Sequence, residues 1–172
     1  MRKDKRVDAI VLDTLKQTGI RSLPVDIDYW YKCKGWQHFS YDQVKRDGAA
    51  IHRSRNTYSH GTEAGAVIYY DDTVRSAGRV RWMLAQEGAR LILGKGTDDK
   101  SVDHFVNTLL IPFAPLVHLK MESADSVMRM FDVPREKACA RLKELRLRRF
   151  LAEQSAGFKG LDLEFLRQFR LE

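Results

Sequence analysis

Five consecutive residues, Gln86-Glu87-Gly88-Ala89-Arg90, have the spacing of a hydrolytic zinc site. Two histidines four residues apart on one helix face bind zinc, and a glutamate beside the first acts as a base on the zinc-bound water. Here the histidine positions hold Gln86 and Arg90, and only Glu87 suits that chemistry. Glutamine is a poor zinc ligand, and a guanidinium, which stays protonated, cannot be one. The stretch therefore lacks its metal ligands.

Two helices are predicted to position this stretch. Between residues 76 and 93, apolar side chains recur at helical spacing and the pattern stops at Gly94, which predicts a core helix. The next segment, SVDHFVNTLLIP, predicts a second helix that ends at Pro112. We expect these two central helices to form a cleft that contains Glu87.

The preceding segments predict further helices and a small sheet. Residues 4–18 form one amphipathic pattern, and a second helix is expected up to Gly35, with Pro24 near its first turn. Three segments rich in β-branched and aromatic residues, WQHFSYD, AAIHRSR and AGAVIYYDD, predict an antiparallel sheet, and NTYSHGTE predicts a connecting loop. The expected fold class is α+β.

The last third of the chain is predicted to be a helical subdomain. Val127, Met130 and Phe131 lie on one helical face, the turn DVP follows, and a second helix turns Ala138, Leu142 and Leu145 inward. This spacing is typical of a helix-turn-helix. A short helix or strand is expected in GLDLEFLRQFRLE. We therefore expect two parts, residues 1–120 and residues 121–172.

Taken in order, RVRWMLAQEGARLILG, DHFVNTLLIP and FDVPREKACARL resemble the ImmA/IrrE-type metallopeptidases, and GIRSLPVDIDYW is similar to that family's opening segment. The resemblance covers roughly residues 9 to 147 and implies a zincin-type fold. The family's third zinc ligand falls on Ser101 or Val102, and neither is a carboxylate. The matching positions are Arg81, Trp82, Leu84, Ala85, Glu87, Leu91, Leu93, Asp103, Phe105, Leu109, Leu110, Pro112, Phe131, Val133, Ala138, Arg141 and Leu142.

The resemblance, combined with the missing ligands, implies a catalytically inactive protein with no metal or cofactor. Because many family members cleave helix-turn-helix repressors, it implies a protein partner, such as a repressor of a mobile element, a phage or a stress response. Arg90 is expected near the family's metal position, balancing Glu87 and Asp103. The alternative of a peptidase with a rebuilt metal site would use cleft residues such as Asp103 and His104.

A second alternative, DNA binding, depends on the charge of the C-terminal helices. The chain has a net charge of +7 and a pI near 9.5, and residues 135–149 contain seven basic residues against two acidic ones. Such a helix could contact phosphates and base edges in a DNA groove, or simply form a solvated face. The candidate contacts are Arg135, Lys137, Arg141, Lys143 and Arg148.

Composition and apolar patterning favour a folded cytoplasmic protein. Hydrophobic residues make up 44% of the chain and charged residues 31%, which is typical of globular proteins. The longest apolar run, residues 109–117, is about half the length of a membrane span and contains two prolines. The first residues predict an amphipathic helix instead of a secretion signal. Cys33 and Cys139 form no CxxC pair and are expected to be free thiols.

Overall fold

The computed structural model describes residues 3–46, 57–73, 76–94, 96–152 and 160–171. Within these ranges the chain is α+β and mostly helical, with one small sheet. The strands are β1 (Gln37–Ser40), β2 (Thr57–Thr62) and β3 (Gly65–Tyr70). The helices are α1 (Lys3–Thr18), α2 (Ile27–Lys34), α3 (Tyr41–Arg46), α4 (Ala77–Leu93), α5 (Asp99–Leu110), α6 (Phe113–His118), α7 (Ala124–Phe131), α8 (Arg135–Ala152) and α9 (Leu161–Gln168).

The chain divides into two compact units. Unit 1 comprises Met1–Asp26 and Asp103–Glu172, and unit 2 comprises Ile27–Val102. Helix α5 contributes its first four residues to unit 2 and the rest to unit 1. The division expected after residue 120 falls inside unit 1. In the described residues, no helix has both the length and the apolarity that crossing a membrane requires.

Unit 1 is helical, and its core forms where α9 packs against α1 and α6. Buried apolar side chains include Leu15, Phe105 and Phe165. The side-chain amide of Gln168 donates to the carbonyl oxygens of Leu15, in the last turn of α1, and of Ile20, just after that helix, at 3.2 Å and 2.7 Å. These two hydrogen bonds join α9 to the end of α1. The C-terminal segment, which is expected to be a short helix or strand, is helical.

Two helices joined by a short turn, α7 and α8, occupy the segment in which the sequence predicts a helix-turn-helix-like pair. The Ser123 side chain accepts a hydrogen bond from the Ser126 amide and caps the start of α7. At the other end of α7, Asp132 adopts a left-handed conformation with φ 48°, which ends the helix. Val133 and Pro134 in the turn are buried, and α8 begins directly after them.

The sheet of unit 2 is mixed, so the prediction of an antiparallel sheet is wrong for β1. The strand order is β1-β3-β2, with β1 parallel and β2 antiparallel to β3. β2 and β3 are joined by a short hairpin, which requires antiparallel pairing, whereas α3 and a long connection separate β1 from the hairpin. Strand β1 ends early because Ser40 and Gln43 exchange side-chain to backbone hydrogen bonds, a capping box that starts α3.

Strand β2 occupies residues that were predicted to form a loop. Its glycine and serine residues suggested a turn, but Gly61 is required by the pairing with β3, since an added Cβ would lie 2.3 Å from the Gly65 carbonyl oxygen. The strand predicted at residues 49–55 lies outside the described residues. Helix α2 begins three residues after Pro24 and not at it, and the short helix α6 was not predicted.

Candidate functional site

Helix α4 carries the Gln86–Arg90 stretch and packs against β2, β3 and α2. Its buried face consists largely of small residues, including Ala85, Gly88 and Ala89. Trp30 approaches α4 closely at Gly88, where an added Cβ would lie 2.5 Å from its ring. Glu87 is one of the buried residues of this helix. Glu87 is only 6% exposed. A buried carboxylate of this kind requires hydrogen-bond donors around it.

Three side chains donate to the Glu87 carboxylate. Its Oε1 atom accepts from Thr57 Oγ1 and from Arg90 Nη1, both at 3.0 Å. Its Oε2 atom accepts from Ser59 Oγ, also at 3.0 Å. Thr57 and Ser59 are two residues apart on β2, so both hydroxyls point to the same side of the strand. We call this group of four residues the Glu87 cluster.

The pairing of Arg90 with Glu87 that their spacing predicts is therefore present. Arg90 also contacts a second carboxylate, because its Nη2 atom lies 3.4 Å from Asp99 Oδ1. Asp99 begins α5 and was not singled out in the sequence. The side chain of Arg90 is 42% exposed and that of Asp99 is 89% exposed, so this second contact is open to water.

Thr57 and Ser59 were missed because their segment was predicted to be a loop. The available signal was the pair of hydroxyl-bearing residues Thr57 and Ser59 at the two-residue spacing of a strand. The composition of the segment obscured that signal. Asp99 could not be found by helical spacing, since it lies on a different helix from Arg90.

Tyr31 lies on α2, hydrogen-bonds to α4, and has a raised pKa. Its hydroxyl donates to the Leu84 carbonyl at 2.6 Å, and the side chain is 1% exposed. Burial raises the pKa of Tyr31 well above its ordinary value, and the charge of Glu87 raises this pKa further. Tyr31 is therefore a neutral hydrogen-bond donor that joins α2 to α4.

The stability of the protein should fall as the pH rises above about 10, where an unfolded tyrosine loses its proton. Folded Tyr31 keeps its proton at that pH because its pKa is raised, so deprotonation favours the unfolded chain. The variant Tyr31→Phe should show a shallower fall, measured by urea unfolding between about pH 8 and about pH 11. Tyr70→Phe is the comparison: burial and the charge of Asp72 also raise the pKa of Tyr70, but less than that of Tyr31, so its slope should change less. An unchanged slope in Tyr31→Phe would contradict the assignment.

Ser101 and Val102, where the resemblance places the family's third zinc ligand, lie in the first turn of α5 and are buried. Asp98 caps α5, accepting from the Ser101 amide at 3.0 Å and from the Ser101 hydroxyl at 3.1 Å. Gln86 is half-buried on α4. In the part of the chain that the structure describes, no group of three or more His, Cys, Asp or Glu side chains is placed to hold a metal ion.

His104 and Asp103, predicted as cleft residues, belong to unit 1. His104 Nε2 lies 2.8 Å from Asp8 Oδ1, and the same oxygen accepts a hydrogen bond from Thr108 Oγ1 at 3.0 Å. These contacts join α5 to α1. Asp103 is half-buried, and its backbone carbonyl accepts from the side-chain amide of Asn107 at 2.8 Å.

The basic residues proposed for DNA contact are not a uniform surface. Arg141 is 2% exposed: its Nε donates to the Ile111 carbonyl at 3.0 Å, and its Nη1 lies 2.6 Å from Glu144 Oε2. A buried guanidinium cannot reach a phosphate, so the prediction that Arg141 contacts DNA is wrong. Arg141 is a core residue. Arg135 pairs with Asp125 at 2.6 Å. Lys137 is half-buried, Lys143 is exposed, and the side chain of Arg148 lies outside the described residues.

A cavity of about 500 Å³ lies beside the Glu87 cluster within unit 2. Arg90 and Ser59 form part of its wall, together with Leu91 from α4. The remaining lining residues are Gly61, Thr62, Gly94, Gly96 and Thr97. The site therefore combines a half-exposed guanidinium with a concave surface large enough for a small ligand.

The chain matches no known protein family, no curated protein and no solved structure.

Proposed function

We propose that the chain is a catalytically inactive relative of the ImmA/IrrE-type peptidases, with a zincin-type fold, that acts by binding a protein partner. The observation that carries the proposal is the contact of Arg90 with Glu87. Arg90 occupies the position of the second histidine in the resemblance. Its cation now contacts the glutamate that would serve as the catalytic base in an active relative.

The chemistry of the Glu87 cluster supports loss of hydrolysis. A catalytic glutamate needs a free carboxylate oxygen beside a metal-bound water. Both oxygens of Glu87 instead accept from protein donors, and one of those donors carries a fixed positive charge. A divalent ion close to that guanidinium would meet a repulsion of several kcal/mol at an effective dielectric constant of about 20.

The proposed class of partner is a helix-turn-helix repressor of a mobile element or of a stress response, and this class is carried by the resemblance. The cavity beside Arg90 offers a concave surface for such a partner. Once hydrolysis is lost, a protein of this kind would act by occupying its partner without cleaving it. A pulldown from the native host should recover a helix-turn-helix protein.

The test of inactivity measures zinc and cleavage together. Purified protein incubated with zinc and then desalted should contain far less than stoichiometric zinc, and it should not cleave the recovered partner. The matched control is Glu87→Gln, which keeps the size of the side chain and removes its charge. Stoichiometric zinc, together with cleavage that Glu87→Gln abolishes, would refute the proposal and support a rebuilt metal site.

A further inference from the structure

The cavity beside the Glu87 cluster contains hydrogen-bonding capacity that the described residues do not use. A guanidinium has five N–H donors. Contacts with described residues engage one donor of Arg90 with Glu87 and one with Asp99. The Glu87 contact is short and its carboxylate is buried, so that side of Arg90 is fixed in place. The Arg90 side chain is 42% exposed, and Arg90 forms part of the wall of the cavity.

The contact between Arg90 and Asp99 is the weaker of the two. Its atoms are 3.4 Å apart, and the Asp99 side chain is 89% exposed. Exposed ion pairs contribute little free energy, because water and salt screen them. A carboxylate from another molecule could therefore take the place of Asp99 without disturbing the Glu87 cluster.

The remaining walls fit the rest of an acidic side chain. Leu91 supplies apolar surface, and three glycines leave room for a backbone to approach. The Thr97 hydroxyl is directed to the Leu93 and Gly94 carbonyls, so Arg90 is the strong donor of the cavity. The net charge of the whole chain, +7, also favours an acidic partner.

We propose that this cavity binds an aspartate or glutamate side chain of the partner protein, with its carboxylate replacing Asp99 at Arg90. Asp99 already presents a carboxylate to Arg90 within the chain and so competes with the partner. This inference rests on the proposed function, since it specifies how the partner is recognised. It assigns to Arg90 a direct role in binding, in addition to its role in holding Glu87.

The test uses the full chain, labelled with ¹⁵N, and two capped peptides, acetyl-Ala-Asp-Ala-amide and acetyl-Ala-Asn-Ala-amide. The aspartate peptide should shift the backbone amide signals of Leu91, Gly94 and Thr97, and the asparagine peptide should not. Arg90→Gln should abolish the shifts. Asp99→Asn removes the competing carboxylate and should tighten binding by about two- to fivefold, the range expected for an exposed ion pair.

The opposite effects of the two substitutions separate binding from folding. Asp99→Asn changes an exposed side chain, so its effect does not depend on the stability of Arg90→Gln. Equal shifts with both peptides, or weaker binding in Asp99→Asn, would overturn the inference. The inference would also be overturned if uncapped tri-alanine bound and the capped aspartate peptide did not, because the cavity would then recognise a C-terminal carboxylate. Because no readout depends on zinc or cleavage, peptide binding can succeed or fail independently of catalytic inactivity.

Discussion

Replacing Arg141 with methionine is expected to lower the free energy of unfolding by about 3 kcal/mol, because it breaks a buried ion pair and leaves a carbonyl unsatisfied. The guanidinium carbon also lies 5.7 Å from the centre of the Phe113 ring, so a cation–π contact is lost with the charge. Methionine preserves the length of the side chain, which limits any cavity. The loss should appear in urea unfolding followed by circular dichroism.

Because Glu144 is partly exposed, the expected loss of stability lies toward the lower end of the range for broken buried ion pairs. Its side chain is 35% exposed, so water partly solvates the carboxylate after Arg141 is removed. The matched control is Lys143→Ala, an exposed position two residues further along α8, which should change stability by less than about 0.5 kcal/mol. Similar losses for the two variants would show that Arg141 contributes no more than a surface charge.

The behaviour of Arg141 shows what a count of charges misses. Arg141 and Glu144 are three residues apart, a spacing that already allows an ion pair on one helix. Burial was not visible in the sequence, because it depends on where the carbonyl of Ile111 and the ring of Phe113 lie. The basic segment therefore divides into a core residue, a surface ion pair at Arg135 and the exposed Lys143.

Helices α4 and α5 could be predicted because their apolar residues recur at helical spacing and residues that stop a helix mark their ends. The ends of α4 and α5 agree with Gly94 and Pro112, which stop a helix through backbone conformation and through the missing amide hydrogen. The side chains that α4 buries were harder to predict. Met83 and Leu91 are half-buried, whereas Gly88 is buried, because the rings of Trp30 and Trp36 lie against it.

The Glu87 cluster could be predicted only in part, because most of its contacts are non-local. The pairing of Glu87 with Arg90 follows from their spacing on one helix. Thr57 and Ser59 precede Glu87 by 30 and 28 residues in the sequence. They contact it only because β2 packs on α4. That Arg90 is a cation and cannot bind zinc could be inferred from its residue type. Its contact with Asp99 could be identified only from the structure.

Gly88→Ala is expected to destabilise the protein by about 2 to 3 kcal/mol, although alanine is the better helix former. An added Cβ would lie 2.5 Å and 2.8 Å from two ring carbons of Trp30, and 3.1 Å from Trp36. The Trp30 ring is fully buried and contacts Trp36 edge to face at 5.6 Å, so it cannot move away freely. Thermal unfolding followed by tryptophan fluorescence should show a lower midpoint.

The sign of the Gly88→Ala effect distinguishes close packing from simple helix propensity. At an open helical site the same substitution would stabilise by about 1 kcal/mol, and that result would contradict the packing described for α4. Gly65→Ala is the control, because an added Cβ there meets nothing within 4 Å. Trp30→Phe removes the ring atoms that the new methyl group would strike, so the double variant should lose less stability than the two single losses added together. Such coupling would show that Trp30 and Gly88 fix the position of α4, and hence of the neighbouring Glu87 carboxylate against β2.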